Sequence, residues 1–155
     1  MSAGYVLDAF ALLAYLRDEP GAAAVQELFE KAAAGRLPLY LALVNYGEVL
    51  YISERLGGPA AVRDVIRMVD ALPIEVVAPD RELTFTAAHL KAQYAISLAD
   101  AFAAALAAVL GLPLVTGDPD FRQVGEIRIE WLPQQGVSAE AGAERSQKRK
   151  DTGRR

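Results

Sequence analysis

Acidic side chains stand at the ends of several apolar segments of this sequence. They are Asp8, Glu48, Asp100, Asp118 and Asp120. Carboxylate oxygens are the ligands that Mg²⁺ and Mn²⁺ prefer. The chain has no cysteine and a single histidine, so thiolate-bound zinc is excluded and catalysis by a cysteine nucleophile is impossible. These residue types favour a site for hard divalent cations.

Three of these acids have an ordinary structural explanation as a helix cap or as turn residues. Asp8 directly precedes a predicted helix that begins at Ala9, where an aspartate is a good N-cap. Asp118 and Asp120 flank Pro119 in a polar turn after an apolar run, and such a turn needs no catalytic role. Each explanation is sufficient when its residue is taken alone.

The other two positions have the spacing of helix capping boxes. Asn45 and Glu48 are three residues apart, and so are Ser97 and Asp100. In a capping box the first residue caps the helix and the acid reaches back to it. The apolar residues around Glu48 nevertheless predict that its turn packs against the core, which would leave the carboxylate at a cleft.

Apolar periodicity predicts five strands interleaved with six helices, and hence an α/β fold with a mostly parallel sheet covered on both faces. The predicted strands are Gly4–Leu7, Leu37–Leu43, Ile74–Val77, Leu112–Thr116 and Ile127–Leu132. The predicted helices are Ala9–Leu16, Ala22–Ala34, Val44–Arg55, Pro59–Ala71, Pro79–Tyr94 and Leu98–Leu110.

A doubly wound sheet would bring the acids together. Strands ending at Leu7 and Thr116 would deliver their acids to one edge of the sheet, and the helices near Asn45 and Ser97 would begin at that edge. Carboxylates a few ångströms apart repel one another unless cations lie among them. One or two bound ions would suit phosphodiester hydrolysis by activated water.

Composition predicts one domain with a polar tail. The 155-residue chain is 53% hydrophobic and carries a net charge of −4. We expect one folded domain over residues 1–133. The last 22 residues, Gln134–Arg155, carry a net charge of +3 and few large apolar side chains, and we expect them to be disordered. The sequence shows no signal peptide and no apolar stretch of membrane-spanning length, which predicts a cytoplasmic protein that does not contact membranes.

The four acidic motifs together resemble the PIN domain, in particular VapC-type toxins of toxin–antitoxin pairs. The motifs are Val6–Leu13, Asn45–Leu50, Ser97–Phe102 and Val115–Phe121. The resemblance spans Tyr5 to about Pro133. It implies a three-layer α/β/α sandwich and an Mg²⁺- or Mn²⁺-dependent endoribonuclease that leaves a 5′-phosphate and a 3′-hydroxyl. It also implies an RNA substrate, a homodimer and a cognate antitoxin.

The same resemblance assigns roles to individual residues. It implies that the metal ligands are Asp8, Glu48, Asp100 and an acid of the Thr116–Asp120 segment. From the converging acids we expect Asp8 and Asp100 to bind the principal ion directly. Glu48 and Asp118 would hold waters, help to deprotonate the attacking water or complete a second ion site. The family's fourth acid could correspond to Asp118 or Asp120, and we favour Asp118 with Asp120 as a helper. Thr116 resembles a small hydroxyl residue that lines the site, and Ser97 supports Asp100.

Other functions remain open at this point. The chain could be a PIN nuclease in RNA maturation, or a catalytically inactive binding or signalling module. A phosphotransfer enzyme with Asp8 as nucleophile would need an acid two positions later, where Phe10 stands. The apolar segments Val44–Leu56 and Pro59–Val69 could provide a surface for a second copy or for the antitoxin.

Overall fold

A computed structural model describes residues 4–133 of the chain. Its strands are β1 (Tyr5–Leu7), β2 (Leu39–Ala42), β3 (Glu75–Val77), β4 (Leu114–Thr116) and β5 (Ile129–Trp131). Its helices are α1 (Ala9–Leu16), α2 (Ala22–Ala33), α3 (Leu43–Asp70), α4 (Arg81–Gln93) and α5 (Leu98–Leu110), and a 3₁₀ helix covers Pro119–Gln123. The predicted domain, residues 1–133, begins before the described range. The predicted disordered tail, Gln134–Arg155, lies outside the described residues.

All five strands pair in parallel, in the order β3-β2-β1-β4-β5. Each connection therefore crosses a face of the sheet with at least one helix, as parallel pairing requires. The chain leaves β1 toward β2 on one side and later returns to place β4 on the other side of β1. This reversal of strand order puts a switch point between β1 and β4, where α/β sheets place ligands.

Helices cover both faces of the sheet, so the predicted α/β/α sandwich is confirmed. On one face Val6 and Leu114 pack with the apolar sides of α4 and α5. On the other face Leu7 and Val115 pack with α1, α2 and part of α3. Neighbouring residues of one strand point to opposite faces, and here both faces are buried. That explains why the central strands are continuously apolar rather than alternating.

The predicted break between two helices lies inside α3. Gly58 has φ 75° and ψ −174°, a backbone conformation outside the helical region, and Pro59 follows it. A residue before proline is driven to extended ψ values, and only glycine adopts a positive φ with such a ψ at low cost. The element is therefore two helical arms joined by a corner, as the Gly-Gly-Pro sequence predicts.

The start of α3 differs from the prediction. The helix begins at Leu43 with Ala42 as its N-cap, and no side chain caps it. The predicted capping box of Asn45 and Glu48 is therefore wrong, since both residues lie inside the helix. The side chain of Asn45 bonds to another helix instead.

No helix within residues 4–133 has both the length and the apolar character needed to span a membrane.

Candidate metal centre

Two neighbouring strands end at the same edge of the sheet with polar residues. Leu7 of β1 and Val115 of β4 are in register. The next residues, Asp8 directly after β1 and Thr116 at the end of β4, therefore lie side by side. Both are buried, with 2% and 0% of their surface exposed. Polar side chains this deep need hydrogen-bond partners, and their partners define the floor of the site.

Both carboxylate oxygens of Asp8 are engaged. The Ala11 backbone N–H donates to Asp8 Oδ1 over 2.9 Å, which confirms the predicted N-cap of α1. The Thr116 hydroxyl donates to Asp8 Oδ2 over 2.5 Å. Capping and site chemistry are therefore compatible in this residue, because the helix N-terminus also stabilises negative charge.

Thr116 connects Asp8 to the loop that carries the next two acids. Its Oγ1 atom donates to Asp8 and accepts from the Asp118 backbone N–H over 3.0 Å. The Asp118 side chain in turn accepts from the Asp120 backbone N–H over 2.9 Å and caps the 3₁₀ helix. This chain of hydrogen bonds fixes the loop's geometry, and the predicted turn is confirmed.

Gly117 allows the loop to pass close to α1. A Cβ atom built on Gly117 would overlap the aromatic ring of Phe10. Only glycine therefore fits between Thr116 and Asp118 while Phe10 keeps its place. The contact joins residues more than a hundred positions apart, so the sequence alone does not predict it.

α5 brings a further acid to the same edge. Ser97 caps this helix, and its Oγ atom accepts from the Asp100 backbone N–H over 3.0 Å. One carboxylate oxygen from each of Asp100, Asp118 and Asp120 lies within 4.8 Å of the other two. The structure therefore brings both candidates for the fourth acid next to Asp100.

Glu48 approaches from the first turns of α3. It is half-buried, and its Oε2 atom is buried without a hydrogen-bond partner among residues 4–133. Its charge interacts with those of Asp118 and Asp100. Glu48 therefore belongs to one acid cluster, which we define as Asp8, Glu48, Asp100, Asp118 and Asp120.

Burial, together with neighbouring negative charges, raises the pKa values of three members of the acid cluster, Asp8, Glu48 and Asp100. Burial raises the pKa of Asp8 to about 7, with smaller contributions from the charges of Asp100 and Asp118, while hydrogen bonds from Thr116 and Ala11 oppose the shift. Burial and then the Asp118 charge raise the pKa of Asp100 to about 6. Burial likewise raises the pKa of Glu48, and its hydrogen bond with Asn45 lowers it.

The acid cluster fits a hard divalent cation. All its side-chain donors are carboxylate oxygens, and three of them are close enough to share one ion. None of the ion pairs within residues 4–133 involves a member of the cluster, so no described lysine or arginine neutralises it by direct contact. Raised carboxylate pKa values of this kind are typical of sites that a cation completes. Such a site can bind phosphate oxygens and activate water.

Comparison with known proteins finds relatives of this chain. The model of the PIN domain family matches residues 5–127 of the chain. Ribonuclease VapC42 of Mycobacterium tuberculosis is 30% identical to the chain, in an alignment of 124 residues that covers 75% of this chain and 92% of that protein. The four acidic motifs all lie within residues 5–127, the range that the PIN domain family matches.

Solved structures share the fold. DNA-bound VapBC from Salmonella typhimurium superimposes with a TM-score of 0.68 at 20% identity, covering 83% of this chain and 97% of the other. VapC20 of Mycobacterium tuberculosis, a toxin that cleaves the sarcin-ricin loop, gives a TM-score of 0.65 at 17% identity, covering 84% of this chain and 100% of the other. At these identities the two structures support the fold alone.

Proposed function

Because this chain belongs to the PIN domain family, we propose that it is a divalent-cation-dependent endoribonuclease and the toxin of a toxin–antitoxin pair. The observation that carries the proposal is the arrangement of the acid cluster, whose members come from four separate segments of the chain. Capping explains the position of individual acids, but it does not explain why three carboxylate oxygens lie within 4.8 Å of one another. A relative with 30% identity is a ribonuclease, which supports RNA as the substrate.

We assign the ion to the whole acid cluster. Asp8 and Asp100 are proposed as principal ligands of Mg²⁺ or Mn²⁺, with Glu48, Asp118 and Asp120 completing the site or holding its waters. The ion would supply a more acidic water and a charge that stabilises the leaving oxygen. Thr116 and Ser97 are supporting residues, because their hydroxyls hold Asp8, the Asp118 loop and the start of α5 in place.

The protein's own residues would orient and deprotonate the attacking water. Glu48 suits the role of base, because it has a buried carboxylate oxygen without a partner among residues 4–133 and a pKa raised by burial. A base is most effective when its pKa approaches the working pH. Asp8 is less suited to this role, since both of its oxygens already accept hydrogen bonds.

We also propose an antitoxin partner and a homodimer. Similar solved structures include VapBC from Salmonella typhimurium, which supports a partner of the antitoxin type. The two arms of α3 expose several large apolar side chains, which an assembly would cover. They are Leu43, Tyr51, Leu56, Ile66 and Met68.

The proposal is tested by incubating antitoxin-free protein with a pool of structured RNAs in Mg²⁺, in Mn²⁺ and in EDTA. We expect cleavage with either ion and none with EDTA. Asp8→Asn and Asp100→Asn should each abolish cleavage, while Asp64→Asn, which removes the same charge outside the acid cluster, should not. Full cleavage in EDTA would refute the proposed metal dependence.

A further inference from the structure

We infer that Asn45 is a positioning residue that holds Glu48 beside Asp100. This inference rests on the proposed metal-dependent function, because it concerns how one proposed ligand reaches the acid cluster. Asn45 lies in the first turn of α3, three residues before Glu48. Its predicted capping role is excluded by the helix start at Leu43, so its place in a buried turn needs another explanation.

The Asn45 side chain joins the two helices that carry Glu48 and Asp100. Its Nδ2 atom donates to the Ala99 carbonyl oxygen over 3.0 Å, and Ala99 directly precedes Asp100 in α5. The bond spans 54 positions of sequence. It ties the first turn of α3 to the first turn of α5, which are the two turns that deliver these acids.

The orientation of the amide group follows from this bond. A carbonyl oxygen can only accept, so the amide nitrogen of Asn45 must face Ala99. The amide also hydrogen-bonds with Glu48 and lowers the pKa of its carboxyl group, as a donor to a carboxylate does. One amide therefore contacts both the carboxylate and the neighbouring helix.

Packing alone gives no reason for an asparagine at this position. The side chain is 0% exposed, and its Oδ1 atom has no hydrogen-bond partner among residues 4–133. A buried polar atom without a partner costs stability, and an apolar residue would avoid that cost. What an apolar residue cannot supply is the pair of hydrogen bonds to Ala99 and Glu48.

The test separates positioning from a purely structural role. Mn²⁺ dissociation constants are measured by titration calorimetry for the full chain, Asn45→Leu, Asn45→Ala and Glu48→Gln, and for Asn45→Leu combined with Glu48→Gln. Urea unfolding in EDTA reports stability separately. Val49→Ala is the matched control, because Val49 is fully buried one turn along the same helix and has no polar side-chain atom.

We expect Asn45→Leu and Asn45→Ala to weaken Mn²⁺ binding about 10-fold or more, as loss of residues that orient metal ligands does. In the Glu48→Gln background, Asn45→Leu should cause no further weakening, because the carboxylate that it positions is gone. Val49→Ala should lower stability and leave Mn²⁺ affinity within about twofold.

Three results would overturn the inference. Unchanged Mn²⁺ affinity in both Asn45 variants would mean that the amide does not position Glu48. Equal weakening in the presence and absence of the Glu48 carboxylate would mean that Asn45 acts only through the helix contact. Absence of Mn²⁺ binding by the unaltered protein would refute the proposed metal site as well, which distinguishes the two failures.

Discussion

Asp8 shows how one residue can satisfy local structure and the site together. Its place after an apolar strand predicted both a helix cap and a member of an acidic site, and the structure confirms the cap. The second hydrogen bond, from Thr116, joins residues 108 positions apart. The sequence could suggest that acids converge at one edge, but it could not show which oxygens meet, because that depends on loop geometry.

Replacing Asp8 with asparagine should abolish RNA cleavage without lowering the stability of the metal-free protein. The raised pKa of Asp8 means that its charged form is disfavoured in the folded state without a cation. In EDTA at pH 8 we therefore expect Asp8→Asn to unfold at an equal or higher urea concentration than the unaltered protein, since the amide oxygen can still cap Ala11. The same variant should lose RNA cleavage. A clear loss of stability at pH 8 would contradict this expectation.

Stability without metal should fall as pH rises. The folded-state pKa of Asp8 is raised from 3.8 to about 7, and that of Asp100 from 3.8 to about 6. Between the unfolded-state pKa and the folded-state pKa of each group, the folded state therefore binds more protons than the unfolded chain. At about 1.4 kcal/mol per pKa unit, Asp8 alone would lower the free energy of unfolding by about 4 kcal/mol between pH 4 and pH 8.

Urea unfolding at several pH values in EDTA measures this effect. Asp8→Asn is the control, and it should reduce the pH dependence to the part that Asp100 contributes. Added Mn²⁺ should restore stability at high pH, because the cation competes with protons for the same oxygens. A stability that rises with pH in EDTA would contradict the assigned shifts.

At the scale of elements, apolar periodicity located every strand and every α-helix among the described residues, but not the 3₁₀ helix at Pro119–Gln123. The ends of the elements depended on tertiary contacts. β2 ends one residue earlier than predicted because Leu43 already belongs to α3. The spacing of Asn45 and Glu48 is that of a capping box, yet Asn45 bonds to Ala99 in α5. A sequence pattern cannot distinguish a local partner from a distant one of equal hydrogen-bonding capacity.

The corner of α3 should depend on glycine. Gly58 adopts φ 75° and ψ −174°, so Gly58→Ala should lower the free energy of unfolding by about 1–3 kcal/mol. Gly125→Ala is the matched control, because a Cβ there meets no atom within 4 Å and its φ is not positive. Urea unfolding compares the two variants, and equal stability in both would contradict a strained corner.

At the scale of the whole molecule, the strand order gives the acid cluster its position. The reversal between β1 and β4 places the ends of both strands beside the first turns of α3 and α5. The alternation of strands and helices predicted a covered parallel sheet, but pairing order lies beyond a single sequence. The four motifs supplied that order only through their resemblance to a known family.

The exposed apolar side chains of α3 should be covered in an assembly. If the homodimer proposed above forms through α3, light scattering should give about twice the chain mass, and Leu56→Arg should give the monomer mass. Val109→Arg is the control, because Val109 is an exposed apolar residue of α5, with 40% of its surface accessible against 65% for Leu56. A monomer at every concentration, or dissociation only by Val109→Arg, would contradict a dimer through α3.

Direct Mn²⁺ binding at pH 8 tests the acid cluster without requiring the right RNA. Titration calorimetry should show binding to the unaltered protein, loss of binding in Asp100→Asn and Asp118→Asn, and unchanged binding in Asp64→Asn. The affinity should decrease at pH 5.5, where protons compete for Asp8 and Asp100. Binding that survives both cluster substitutions, or no binding by the folded protein at pH 8, would contradict the assignment of the metal to these acids.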